Sequence, residues 1–266
     1  MFAAAVFALL AAYIAIILRD HRTRFEVAPL RVLAGEIPPM VRGDGGGAEI
    51  ELLRRALPSL ADRELEVTVF PFSRHWRNID TLTQYDLILT VPQGFDLGGA
   101  NTAAYVEYQN GVVYRRSVFP DGLGSDPLGA LDGRRVVGFA GATRVIEGVE
   151  SSRRNFSMYL ERYSQHRQTV MLASGFADAV IAERSIVEFY LNEVADDLEI
   201  EVSDFVFEPV FCPTRYVMTA RDGALRDEVN RTVRIVRAEE ALAALDREAP
   251  GGGLSVRESQ VGECVR

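Results

Sequence analysis

Three histidines, His21, His75 and His166, stand singly along 266 residues, so no pair has the spacing by which one helix face offers two imidazoles to a metal. No Gly-x-Ser-x-Gly elbow is present to expose a nucleophilic serine. The glycine cluster at 43–47 lacks both the Lys-Ser/Thr ending of a phosphate-binding loop and the spacing of a dinucleotide turn, and reads as a surface turn. Carboxylates are plentiful, 38 Asp and Glu, but none belongs to a motif. The residues therefore assign no catalytic group, no metal ligand and no cofactor, and a binding protein rather than an enzyme is expected. Acids and bases meet only in the fold, so catalysis stays open as the rival reading.

A few side chains have two local readings. Thr143 follows a strand-to-helix turn and is a good N-cap for a helix beginning near Arg144. Glu183 ends an apolar run and reads locally as a solvated acid. Trp76, the one tryptophan, either packs a short helix on its sheet or stacks on a ligand. Gln109 lies between Tyr108 and Asn110 in an extended stretch, where alternate side chains point to opposite sides. Cys212 and Cys264 are the two cysteines; in an oxidising compartment they are free to pair, and sequence leaves that open.

These groups need a scaffold of ordinary globular composition, 48% hydrophobic and 25% charged. The net charge of −9 and pI near 5.0 exclude a nucleic-acid partner, which needs a clustered basic surface. Residues 2–18 are continuously apolar and run into Arg19, Asp20, His21, Arg22 and Arg24. That segment is expected to be an export signal or a membrane anchor, and its length fits either.

Beyond it, short β-type runs alternate with amphipathic stretches, the pattern of an α/β protein with mostly parallel strands. Strands are expected at 30–34, 66–70, 85–91, 134–139, 177–182 and 216–220. Helices are expected near 48–60, 75–82, 185–194 and 224–248, with further helical structure from 145 to 163. Two longer extended stretches, 105–116 and 198–207, suit chain crossings. Residues 250–266 open on Pro-Gly-Gly-Gly and read as a flexible tail.

Five phrases in this order resemble the extracellular solute-binding proteins of family 3, which feed polar amino-acid ABC transporters. They are "LRVLAGEIPPMV" from Leu30, "YDLILTVP" from Tyr85, "LDGRRVVGFAGAT" from Leu131, "VMLASGFADAVIAERSIVEFYL" from Val170 and "YVMTARDGALRDEVNRTV" from Tyr216. The resemblance implies a two-lobed type II periplasmic-binding-protein fold with two crossing hinge strands. Residues 1–24 would be the leader, 25–115 with 205–249 the first lobe, and 116–204 the second. It further implies a periplasmic monomer that closes on a small polar solute and meets the membrane permease of an ABC transporter. A dehydratase-like enzyme and a membrane-tethered sensory module are the alternatives on the same fold.

The resemblance also suggests ligand contacts. Thr143 stands in the turn whose hydroxyl and amides take an anionic group, and Glu183 stands where an acid pairs with a ligand ammonium. Glu36 lies in the loop after the first strand, Gln93 follows the third, and Trp76 and Gln109 are further candidates. The family often places an arginine for the ligand carboxylate after "YDLILT"; this chain reads Val91-Pro92-Gln93-Gly94 there.

Overall fold

The computed structural model describes residues 28–56, 63–72, 83–162, 164–244 and 254–257. The expected 75–82 helix, Trp76 and the apolar 2–18 segment lie outside them. In chain order the strands are β1 (Leu30–Glu36), β2 (Leu65–Pro71), β3 (Leu87–Pro92), β4 (Ala100–Asn101), β5 (Val106–Tyr108), β6 (Asn110–Arg115), β7 (Arg135–Phe139), β8 (Met158–Arg162), β9 (Ala179–Glu183), β10 (Phe205–Glu208), β11 (Thr214–Ala220) and β12 (Ser255–Val256). The helices are α1 (Ala48–Ala56), α2 (Ala142–Val145), α3 (Val149–Ser152), α4 (Gln165–Ala173), α5 (Arg184–Val194) and α6 (Gly223–Ala244).

Two six-stranded sheets organise the chain. The first runs β2-β1-β3-β11-β4, with β5 also on β11, and the second runs β12-β10-β6-β9-β7-β8. β1 is parallel to β2 and β3, and β7 is parallel to β8 and β9. Their central strands are buried on both faces, which is why β3 (Leu-Ile-Leu-Thr-Val-Pro) and β9 (Ala-Val-Ile-Ala-Glu) read as continuous apolar runs rather than alternating ones. In the first lobe Leu30, Val32, Leu87 and Leu89 pack under Ile50 and Leu53 of α1 and Leu225 and Val229 of α6. In the second, one face of the sheet carries Val136, Ile181 and Val206, and the other packs Val137, Val180 and Phe205 against α4 and α5.

The chain passes between sheets at Gln109 and again at 209–213. Tyr108 pairs with Thr214 and Val112 with Glu208, so the two passages lie side by side and antiparallel. Residues 110–115 and 205–208 consequently belong to the second sheet, whereas the sequence boundaries placed them with the first lobe.

Two other local expectations differ from the structure. The helical stretch expected at 145–163 is instead α2, α3 and β8. Gly148, at φ 84°, closes off any continuation of α2, and Met158-Tyr159-Leu160-Glu161-Arg162, despite good helix formers, pairs in parallel with β7. Tertiary pairing outweighs a propensity of a few tenths of a kcal/mol per residue. The tail is also more ordered than its glycines suggested. Leu254 is buried with Phe205 and Phe207, Ser255 and Val256 pair with β10, and the Leu254 amide donates to Glu188 Oε1 at 3.0 Å. Cys212, in the second passage, is disulfide-bonded; Cys264 lies outside the described residues. Among the described residues, no helix is long and apolar enough to cross a membrane.

An aspartate precedes β3 and another precedes β9, and each fixes a strand beside it. Asp86 accepts the Arg31 amide at 2.9 Å and the Arg31 and Arg221 guanidinium groups. Asp178 accepts the Arg135 amide at 2.8 Å and its guanidinium at 2.6 Å. Burial alone would raise the Asp86 carboxyl, but the Arg31 bonds and the Arg221 charge outweigh it and hold it below its ordinary 3.8. A depressed folded value stabilises the fold fully above the unfolded value and is lost as pH falls through the folded one. Asp86→Asn should therefore cost about 2 kcal/mol in urea denaturation at pH 7, and the variant and wild type should converge in stability as the pH drops well below 3.8.

Candidate ligand-binding cleft

In open parallel sheets, ligands sit beyond the carboxyl ends of the strands, and here those ends of both sheets meet. Ile37 follows β1 and Phe72 follows β2, while Tyr108 on β5 and Tyr216 on β11 complete the first-lobe wall. Phe139 ends β7, Glu183 ends β9, and Gln165 and Ile186 come from the first turns of α4 and α5. Asn110, at the first passage, bridges the two walls, and its amide reaches Thr214 Oγ1 at 3.2 Å. The hollow they line is about 20 Å³, room for roughly one water-sized group. Ile186 is buried within the first-lobe core and Tyr190 packs against it, which makes α5 the seal between lobes. Larger hollows of about 230 and 400 Å³ lie beside α6, and one of about 520 Å³ lies beside the second passage, away from the strand ends that face one another.

Glu183 is the carboxylic acid among the described residues of the cavity wall and is 7% exposed. Its Oε2 accepts the Ile186 amide at 2.9 Å and its Oε1 the Ser185 hydroxyl at 3.3 Å, so it also caps α5. A carboxylate has about four acceptor positions, which leaves capacity toward the cleft. Burial raises its carboxyl above the ordinary 4.5, against smaller opposing bonds from Ile186 and Ser185. Among the described residues, no arginine lies within ion-pair distance of it.

Thr143 is engaged within the protein. Gly141, left-handed at φ 91°, turns the chain from β7 into α2. The Gly141 and Thr143 amides then donate to Glu161 Oε2 and Oε1 at 2.8 and 2.9 Å, and the Tyr159 hydroxyl adds a third bond at 3.2 Å. Burial opposes the Glu161 charge, but the Thr143 and Gly141 amides prevail and keep its carboxyl below the ordinary 4.5. An internal carboxylate thus fills the amide cradle that the sequence resemblance gave to a ligand.

The other sequence candidates are dispersed. Glu36 is exposed at the end of β1, close enough to α5 for its charge to help raise the Tyr190 hydroxyl to about 12, although burial is the larger cause. Gln93 is exposed in the turn after β3, with its amide bonded to the Arg215 carbonyl at 2.9 Å. Gln109 turns away from the cavity and ties the passages together, donating to the Asn110 carbonyl at 2.9 Å and the Phe211 carbonyl at 2.7 Å.

Several groups at the site escaped the sequence reading: Glu161, the aromatic walls and, beneath Tyr108, Glu49. Glu49 is 3% exposed on the first turn of α1 and accepts the hydroxyls of Tyr105, Tyr108 and Thr90. Burial first, then the Glu49 charge, push the Tyr105 and Tyr108 hydroxyls well up, so both stay protonated and donate. Glu49 thereby fixes the hydroxyl of a ring that walls the cavity. Alternation along 108–110 was the available signal for Tyr108 and Asn110 sharing a side.

No family profile and no curated protein matches the chain. Solved structures do. A histidine kinase sensor domain similar to periplasmic binding proteins aligns at TM-score 0.62 and 16% identity, covering 85% of this chain and 97% of that one. An ancestral arginine-binding protein bound to arginine aligns at 0.62 and 17%, covering 82% and 96%. An amino-acid ABC transporter substrate-binding protein from Streptococcus pneumoniae, bound to L-arginine, aligns at 0.60 and 17%, covering 82% and 92%. At such identities the likeness is one of fold: the chain has the two-lobed periplasmic-binding-protein fold.

A raised carboxyl favours the protonated folded state, so ionised Glu183 weakens the fold as pH climbs past the unfolded value near 4.5. Glu183→Gln keeps an acceptor for the Ile186 amide and sheds that charge. Its melting temperature at pH 7 should equal or exceed that of wild type, and the excess should vanish toward pH 4 in a scanning-calorimetry series.

Proposed function

We propose that the chain is an exported solute-binding protein that closes around a small polar solute and presents the shut form to the membrane permease of an ABC transporter. The observation that carries this reading is a cavity walled by the strand ends of both lobes, beside which Ile186 and Tyr190 of α5 pack into the first-lobe core. A solute touching both walls stabilises closure by its differential affinity for the shut form. Glu183 accepts the ligand's ammonium, Asn110 and Gln165 offer amides, and Glu36 stands at the rim. Neighbours in the fold are bound to amino acids, which supports a ligand of amino-acid or amine size.

A sensory module is the second reading, favoured by the likeness to a histidine kinase sensor domain and by the apolar residues 2–18. Closure is common to both readings; the recipient of the signal differs. Sequencing the N-terminus of the mature protein separates them, since a retained apolar segment marks a tethered sensor and a cleaved one a freely exported carrier.

Solute binding is tested by a thermal-shift screen of the chain against amino acids, amines, organic acids and sugars. A ligand at a hundred times its dissociation constant adds about 2.7 kcal/mol of stability, and the hit should be recovered unchanged. Consumption of the hit over time would replace binding with catalysis on the same fold, and a screen without any shift would dismiss the solute-binding reading.

A further inference from the structure

We propose that Cys212 and Cys264 form an intrachain disulfide that straps the C-terminal segment of the chain to the second passage. The inference goes beyond the solute-binding reading and shares with it only export to an oxidising compartment, where such bonds persist. Cys212 is disulfide-bonded, and the chain holds two cysteines, so within one copy its partner is Cys264. Topology brings the two segments together. β12 runs parallel to β10 with Val256 beside Phe207, and the Arg257 amide extends that ladder to the Phe207 carbonyl at 3.0 Å. Both segments therefore leave the sheet at the same end. Cys212 follows Phe207 by five positions, and Cys264 follows Val256 by eight. Neighbouring strands lie about 5 Å apart, and a drawn-out chain spans about 3.5 Å per residue. Cys212 is thus no more than about 23 Å from Val256, and eight residues reach roughly 28 Å.

β12 is two residues long, and a pairing that short holds little by itself. Side contacts add to it: Leu254 packs on Phe205 and Phe207, Arg116 donates to Ser255 Oγ at 2.9 Å, and Arg257 donates to the Pro120 carbonyl at 3.1 Å. A cross-link from Cys212 restricts the unfolded chain and keeps this segment beside its docking place. At its other end the bond stands in the hinge. Cys212 follows Phe211, whose carbonyl takes the Gln109 amide at 2.7 Å, and shortly precedes Thr214, whose hydroxyl takes the Asn110 amide at 3.2 Å. Formation is thiol–disulfide exchange with an oxidising protein disulfide of the compartment. One cysteine thiolate attacks that disulfide to give a mixed disulfide, and the second thiolate displaces it. The Sγ–Sγ bond forms, and the oxidant leaves as a dithiol carrying the two electrons and two protons.

Trypsin places the two cysteines in peptides 185–215 and 258–266. The full chain, equilibrated in a glutathione buffer poised as an oxidising compartment, is alkylated and digested without reductant. Mass spectrometry of the monomer should find the two peptides as one linked species that separates on reduction. Both peptides alkylated as free thiols, or linkage confined to a dimer, overturns the bond. Calorimetry tests the strap. Cys212→Ser, Cys264→Ser and the double variant should each melt roughly 5 to 15 °C below the oxidised wild type, and reductant should bring the wild type down to them without moving the variants. A linked wild type whose melting temperature is unmoved by reductant overturns the strapping role. Solute binding is read separately by the thermal-shift screen, so its failure and the failure of the bond are distinct results.

Discussion

The pairing of the two passages, β5–β6 beside β10–β11, is the constraint on which the cleft depends. Because Tyr108 is matched to Thr214 and Val112 to Glu208, a shift of one residue in either passage would move every side chain there to the other face. Tyr108 and Asn110 would leave the cavity and Gln109 would enter it. The Gln109 amide, bonded to the carbonyls of Asn110 and Phe211, pins that register from the side away from the ligand. A short extended pair is also a suitable hinge, and rotation about it would draw Ile186 out of the first-lobe core.

Charge is handled differently at the two ends of the sheets. At the amino ends, Asp86 and Asp178 are matched to arginines that hold strands together. In the interior and toward the carboxyl ends, acids are satisfied by hydroxyls and amides. Glu49 takes three hydroxyls, Glu161 two amides and a hydroxyl, and Glu208 the Tyr114 hydroxyl and the Leu123 amide with the Arg257 guanidinium 3.9 Å away.

The fold was legible because its parallel strands are buried on both faces, so β1, β3, β7 and β9 appear as apolar runs, and because α1, α5 and α6 carry apolar stripes. β8 was not, since Met158 to Arg162 favours helix locally and is a strand only by pairing with β7. The docking of Leu254 was equally hidden, because a single apolar residue after three glycines carries no periodic signal. At the site, Glu183 and Thr143 could be located by phrase. What Thr143 bonds could not, because Glu161 lies 18 residues away on the strand that was misread. Gln93 follows β3 and Gln109 joins the two sheets, but the direction of each side chain is set by a turn and by strand register, neither of which a phrase encodes.

β12 has a mechanical meaning. α6 packs on the first lobe and Leu254 to Arg257 on the edge of the second sheet, so the chain joins the lobes a third time. β12 covers the backbone of β10, which would otherwise be an unpaired edge open to strands of other molecules, so these few residues shield the sheet.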